Sequence, residues 1–198
     1  MAAAASGATE VSVTRQPRVA ILVTGDEVHS VGAPPSNSLA IPDSISLAVS
    51  ALAARWGADV ITPSSAPDNA RKIAAAFREA TYYADVVIMT GGASVGDHDH
   101  CKAAVREAGG QFQFAKVAMK PGKPVWHAMI GKTHVLGLPG NPTAALTTAR
   151  LFLAPLLCAL SGRLPKDALL WHRAGWSEGT PPSDTRERFC AVRGTGKR

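Results

Sequence analysis

Apolar positions along the chain alternate between unbroken runs and runs with helical spacing. Residues 18–24 are almost wholly apolar and are bounded by Pro17 and Gly25, the pattern of a strand buried on both faces, as in a parallel sheet. From 44 to 56 the apolar positions Ile45, Leu47, Ala48, Ala51, Leu52 and Trp56 recur at helical spacing, and Gly57 supplies the stop. Residues 58–62 then predict a second strand. Asp68 is the candidate N-cap of a helix over 69–80, whose Ile73, Ala76, Phe77 and Ala80 make one apolar face. Residues 85–90 form another doubly buried run. This alternation predicts right-handed strand–helix–strand crossovers and a three-layer α/β/α sandwich about a mostly parallel sheet.

Further along, the rhythm changes. Short runs at 111–118, 124–129 and 133–138 are separated by Pro-Gly-Lys and Gly-Lys, which predicts a hairpin and a return strand, partly antiparallel. Asn141 can cap a final long helix through Leu160, with Pro142 at its first position, where a missing N–H costs nothing. Beyond Arg163 the chain turns polar and rich in Pro and Gly, with only 168–171 and 189–192 strand-like and a long loop expected over 175–185. The expected organisation is a disordered tail at 1–16, one α/β domain at 17–162 and an incomplete C-terminal β segment or loop at 163–198. The length suits one sizeable core.

Composition narrows the classes of function. The net charge is +6, but eight basic against four acidic residues from Arg163 onward put most of it in the last 36 residues. No basic stripe runs along one element of the body, so nucleic acid is not expected as a partner, and the surplus reads as anion affinity or tail solvation. Cys101, Cys158 and Cys190 have no C-x-x-C spacing, which fits a reducing cytoplasm better than a disulfide framework or zinc knuckle. The N-terminal run lacks a positive n-region, and no window is expected to reach the ~20 apolar residues of a membrane span.

In an open parallel sheet, ligands bind beyond the carboxyl ends of the strands. Here those ends are polar and Gly-rich: Thr24, Gly25, Asp26 and Glu27 after the first strand; Gly91, Gly92, Ser94, Gly96, Asp97 and Asp99 after the third; Pro139, Gly140, Asn141 and Pro142 after the return strand. Gly91, Gly92, Ser94 and Gly96 before a helix offer bare N–H groups and a hydroxyl to a phosphate. The acids Asp26, Glu27, Asp97 and Asp99 on the same rim would repel that phosphate unless a divalent cation such as Mg²⁺ lay between. Ordinary turn chemistry and capping are the bland alternative. Lys116, Lys120 and Lys123 add three ammonium groups; on a strand, 116 and 120 share a face. Such a cluster suits an oxyanion substrate, or else a solvated edge that blocks strand pairing.

Taken in order, Thr24-Gly-Asp-Glu27, Thr90-Gly-Gly-Ala-Ser-Val-Gly-Asp-His-Asp99, Lys116-Val-Ala-Met-Lys-Pro-Gly-Lys-Pro124 and Gly137-Leu-Pro-Gly-Asn-Pro142 resemble the motifs of MoeA-type molybdopterin molybdenumtransferases and the gephyrin E domain. The resemblance implies a molybdopterin-binding, MogA-like fold and a role in molybdenum cofactor biosynthesis. It implies an enzyme that takes adenylylated molybdopterin, splits the pyrophosphate with Mg²⁺ and inserts molybdate into the dithiolene, working as a homodimer. By the same resemblance Glu27, Asp97 and Asp99 are metal-side acids, Asp68 is a further catalytic acid, and Lys116 and Lys120 face molybdate. Thr24, Gly25, Asp26, Gly91, Gly92, Ser94, Gly96, Lys123, Pro139, Gly140, Asn141 and Pro142 shape the pterin and phosphate site. Two positions depart from the family pattern, Ile45 after Asp43-Ser44 and Val23 before Thr24. The family carries further domains before this one, and the tail after Arg163 resembles the opening of its C-terminal β domain.

Other readings stay open. A non-catalytic molybdopterin-binding module would use the same residues, and a nucleotide-processing, amidase-like relative would share the fold. Gly92-Ala-Ser94-Val-Gly96 also matches a nucleophile elbow, with Asp167 and His172 as the downstream triad members. His98-Asp99-His100-Cys101 could be a soft-metal cluster, although ligands two apart at a helix start diverge. His29, His127, His134 and His172 have no partner spacing and read as surface or satisfied residues. Trp56 reads as core, Trp126 is undecided, and Trp171 and Trp176 suit a contact with another surface.

Overall fold

The apolar run at 18–24 becomes the strand β1 (Arg18–Thr24), buried at every position but the first. The structure is a computed structural model and describes residues 2–35, 38–91, 100–169 and 185–190. After a helical turn α1 (Ala2–Ala5) and β1 come β2 (Val28–His29), β3 (Ile41–Pro42), α2 (Ser44–Arg55), β4 (Asp59–Val60), β5 (Ser64–Ala66), α3 (Ala70–Ala80) and β6 (Val86–Thr90). The second half holds α4 (His100–Glu107), β7 (Gln111–Phe114), β8 (Met119–Lys120), β9 (Trp126–Ile130), β10 (Thr133–Gly137) and α5 (Pro142–Thr148). A π-helical turn (Ala149–Leu153), α6 (Ala154–Leu160), a 3-10 turn (Pro165–Ala168) and β11 (Glu187–Arg188) complete it.

The main sheet runs β4-β1-β6-β10-β9-β7, with β5 also on β1. β4, β5 and β6 pair parallel with β1, and β10 pairs parallel with β6; β9 and β7 add the antiparallel edge. The period-2 alternation of a strand divides each central strand between two cores. Ala20, Leu22, Val87 and Met89 face α3 and α4, while Val19, Ile21, Val86 and Ile88 face α2, α5 and α6. Helices thus cover both faces, and the expected mixed α/β sandwich with its mostly parallel sheet is what the chain forms.

Several local expectations are corrected. Asn69, not Asp68, caps α3: its side chain accepts from the N–H groups of Arg71 and Lys72 at 3.1 and 3.2 Å, while Asp68 is left at the rim. The strand expected over 58–62 splits, because Pro63 has no N–H to continue the ladder; β4 ends at Val60 and β5 rejoins β1 further on. Lys116 lies in the irregular link between β7 and β8, so it shares no strand face with Lys120. Ala168 closes the 3-10 turn instead of opening a strand. Phe189 follows β11, which pairs parallel with β8.

The long helix forms as expected, capped by the Asn141 side chain on the Ala144 N–H at 3.1 Å. Its stretch Pro142–Leu160 is, however, long and apolar enough to cross a membrane by length and composition, contrary to the expectation that no window would be. Here that apolarity is used against the sheet: Ala145, Ala149, Leu153 and Leu157 are fully buried in the second core.

Candidate functional site

The carboxyl ends of β1, β6 and β10 open on one edge of the sheet, and a cavity of about 500 Å³ lies there. Four segments wall it: Thr24 to Val28 after β1, Ile41 to Ile45 at the start of α2, Thr90 and Gly91 after β6, and Pro139 to Pro142 after β10. Backbone geometry brings these ends together. Gly91 has φ +84°, and a Cβ there would lie 1.9 Å from the Thr24 carbonyl oxygen, so only glycine lets the exit of β6 rest on that of β1. Gly25, at φ +118°, lets the Glu27 carboxylate fold back over it, with an oxygen 2.8 Å from the place of a Cβ.

The polar groups of the cavity fall into two sorts. Some are committed to the fold. Asp43 caps α2, accepting from the Ser46 N–H at 2.9 Å and from the Ser46 hydroxyl, and the Thr24 hydroxyl donates to the Thr90 carbonyl at 3.4 Å. Others are open. The Thr90 hydroxyl is buried and has no hydrogen-bond partner among the described residues, and Glu27 forms no ion pair there. Burying a hydroxyl without a partner costs ~1–3 kcal/mol; this one is not itself exposed to the cavity, and the unpaired polar group that faces a guest directly is the Glu27 carboxylate. A second depression of about 320 Å³ shares Val23, Val28 and Asp43 with the first and continues past Ser30 and Pro63.

Of the residues expected from sequence, Thr24, Glu27, Gly91, Pro139, Gly140, Asn141 and Pro142 line the cavity. Asp26 and Asp68 stand beside each other at the rim, where the Asp26 carboxylate accepts from the Asp68 N–H at 3.4 Å. Lys116, Lys120 and Lys123 are not in the lining, but Pro124, which ends their loop, is. That loop is braced from below: a Cβ on Gly122 would lie 2.5 Å from Thr148 Cγ2. Its Lys120–Pro121 peptide is cis. Gly92, Ser94, Gly96, Asp97 and Asp99 lie outside the described residues, and so do the elbow reading of Ser94, His98 and His172. Cys101 is buried with its sulfur 3.7 Å from the Thr24 hydroxyl, which fits packing behind the site.

The sequence motifs included Thr90, Asp43, Val23 and Ile45 without marking them as site residues, and gave no sign of the apolar wall that Val28 and Ile41 complete. Thr90 was hidden as the last position of a core strand. Asp43 carried a signal, an acid directly before a helical run.

Among the described residues no three His, Cys, Asp or Glu side chains gather as a metal site. Glu27 is the one uncommitted carboxylate in the described cavity lining. That donor set fits a hard cation such as Mg²⁺, which keeps water and takes one or two carboxylates together with ligand phosphates, and does not fit an all-protein cage.

Two of the histidines do have a partner. His127 Nε2 and His134 Nδ1 are 3.0 Å apart, diagonal across β9 and β10, with ring centroids 5.2 Å apart and planes 15° off parallel. The centroids are farther apart than the nitrogens by about one ring width, so the rings meet end to end over one shared proton. Burial pushes both below the ordinary histidine value; the neighbouring His134 adds to this for His127, and Asp85 opposes it for His134. Trp126 is fully buried with its indole N–H unpartnered and lies against Gly137, where a Cβ would come within 1.9 Å of its ring.

Residues 20–159 match a family described as "Probable molybdopterin binding domain". The chain is 40% identical over 160 residues to the molybdopterin molybdenumtransferase of Haemophilus influenzae, covering 81% of this chain and 39% of that protein. It is 38% identical over 162 residues to that of Nostoc sp., covering 80% and 37%. The solved molybdopterin biosynthesis MoeA protein from Pyrococcus horikosii superposes with a TM-score of 0.71 at 31% identity, over 82% of this chain and 40% of that one. The chain thus spans about two-fifths of the length of the curated relatives it matches.

Proposed function

Since the chain belongs to the molybdopterin-binding domain family, we propose that it binds molybdopterin in the cavity at the carboxyl ends of β1, β6 and β10 and serves molybdenum cofactor biosynthesis. The observation that carries this reading is the cavity at these strand ends, which holds the unpaired Glu27 carboxylate and the helix-start residues Asn141 and Pro142, with Thr90 in its wall. The apolar wall of Val28, Ile41 and Ile45 accepts the flat face of a heterocycle, and the polar side receives its heteroatoms and phosphate.

The finer reading is that the guest is adenylylated molybdopterin and that molybdate is inserted into its dithiolene. The adjoining depression beyond Asp43 supports a guest longer than one ring system. Glu27, with Asp97 and Asp99 of the 92–99 segment, would hold Mg²⁺ against the ligand's phosphates, and the ion would supply charge neutralisation there. Asp68 is the proposed further acid at the rim. Lys116 and Lys120 are proposed as the cations that face molybdate, and Lys123 as a phosphate contact. The sulfurs come from the pterin, so no cysteine ligand is needed. A homodimer in the cytoplasm is the proposed setting.

Calorimetric titration of the chain with adenylylated molybdopterin tests this, with and without Mg²⁺ and molybdate. Saturable binding, tightened by Mg²⁺ and weakened by Thr90→Val and Lys120→Ala, is expected. Absence of heat with the pterin nucleotide would remove the proposal. Binding without any effect of molybdate would favour a module that holds the pterin over one that completes the cofactor.

A further inference from the structure

A second constellation lies at the other end of α2, outside the cavity and unused by the proposed reading. Two arginines from distant places in the chain meet one indole, and a third lines the depression beside it. Arg55 closes α2, Arg150 belongs to the π-helical turn, and Arg163 follows α6. The Arg150 guanidinium carbon is 4.9 Å and that of Arg163 5.8 Å from the centre of the Trp56 ring. Arg150 also donates to the Ala168 carbonyl and Arg163 to the Trp56 carbonyl, which fixes both heads and leaves most of their N–H groups unspent. Arg55, Trp56 and Arg150, with Ala51 and Leu52 as an apolar floor, line an open depression of about 660 Å³.

No Asp or Glu among the described residues lies within ion-pair distance of any of the three. Two acids lie close by in sequence: Asp59 is turned to Arg18 at 3.9 Å, and Asp167, in the 3-10 turn beside Ala168, forms no ion pair with any of the three. Cation–π contact with Trp56 offsets part of the cost of gathering Arg150 and Arg163. It leaves Arg55 unexplained, and like charges held together weaken a fold unless an anion joins them.

We infer that this depression binds a phosphate-class oxyanion carried on a small apolar body. Guanidinium forks match phosphate oxygens in pairs, more rigidly than lysines do. Ala51, Leu52 and the indole edge receive the apolar part. The site is independent of the cavity: α2 has 12 residues, and at ~1.5 Å rise per residue its Arg55 end stands about 16 Å along the helix from Ser44, which lines the cavity.

The test is calorimetry on the 198-residue chain at constant ionic strength, with phenyl phosphate, inorganic phosphate and phenol as probes. Saturable one-site binding is expected, tightest for phenyl phosphate, weaker for inorganic phosphate and absent for phenol. Arg55→Gln holds no structural hydrogen bond among the described residues and should weaken phenyl phosphate about tenfold or more, the size of one charged contact. Arg150→Gln should do the same, and circular dichroism checks that it folds; if it does not, Arg55→Gln decides alone. No saturable heat, or an affinity untouched by Arg55→Gln, overturns the inference. Binding lost instead in Glu27→Gln assigns the phosphate to the cavity and overturns it equally.

Discussion

The two ends of the central sheet treat their polar groups in opposite ways. At the amino ends of β6 and β10 polar groups are matched within the chain. Asp85 accepts from the Arg15 guanidinium at 2.6 and 2.7 Å and from the Arg18 N–H at 2.8 Å, and the Thr133 hydroxyl donates to the Ala84 carbonyl at 3.1 Å. At the carboxyl ends the Thr90 hydroxyl goes unmatched, and Glu27 sits over a glycine with no cation beside it among the described residues. Closed polar groups hold a fold; open ones are kept for something that arrives. The difference explains why this edge, and not the other, is read as the binding site.

Substitutions can break that contrast, and the largest effect is expected at the carboxyl end. Gly91→Ala would force a side chain into the Thr24 carbonyl at a positive φ, so a loss of about 3 kcal/mol or more is expected, visible as a collapsed melting temperature. Next comes Asp43→Ala, which removes the cap of α2 and should cost about 1 kcal/mol in thermal or denaturant unfolding. Because Asp43 also lines the cavity, pterin binding should weaken in the same variant, while Thr133→Val, which removes the hydroxyl's bond to the Ala84 carbonyl at the opposite end of the sheet, costs similar stability and leaves binding intact.

Acidity sharpens the contrast from the other side. Both imidazoles of the His127–His134 pair are held below the ordinary value by burial, so as pH falls the unfolded chain takes protons before the folded one does. Their contribution is complete above pH of about 6.5 and declines as pH drops from there towards their lowered values. Asp85 is held low mainly by its hydrogen bond from Arg15, so its share is complete above pH of about 3.9 and fades only in stronger acid. Melts from pH 8 to 4 should show the upper step in the native chain and a flattened one in His127→Gln; equal slopes would unlink the pair. The smallest loss of stability is expected for Thr90→Val. Replacing a buried hydroxyl that has no partner should leave the fold as stable or raise its stability by about 1 kcal/mol, while pterin affinity drops clearly.

The parts of the fold that could be read in the sequence are those where one face or both must be apolar. β1 and β6 are unbroken runs because helices cover both sides, and α3 has its stripe because only one side is covered. What stayed hidden depends on register and on local competition. His127 and His134 are seven residues apart and meet only because β9 and β10 pair diagonally, which no spacing reveals. Asp68 and Asn69 are both good caps, and their order was decided by which side chain the first turn could reach. In the site, Thr24, Glu27 and the Pro139 to Pro142 loop were legible because they follow strands. The three lysines were legible as a cluster, but their loop reaches the cavity lining through Pro124, since a proline- and glycine-bounded turn replaces the strand that would have aligned them.

The π-helical turn at Ala149–Leu153 gives the long helix two separately keyed halves. Winding the same residues evenly as an α-helix would leave Pro142 to Ala145 where they are and swing everything beyond by about 100°, the turn of one extra residue. Leu157 would leave the sheet, and the junction with the 3-10 turn would come apart while the guest-facing half kept its alignment. The one extra residue of the wide turn is thus what keeps both halves of this shaft aimed at once, and removing it together with the wide turn would leave both in place.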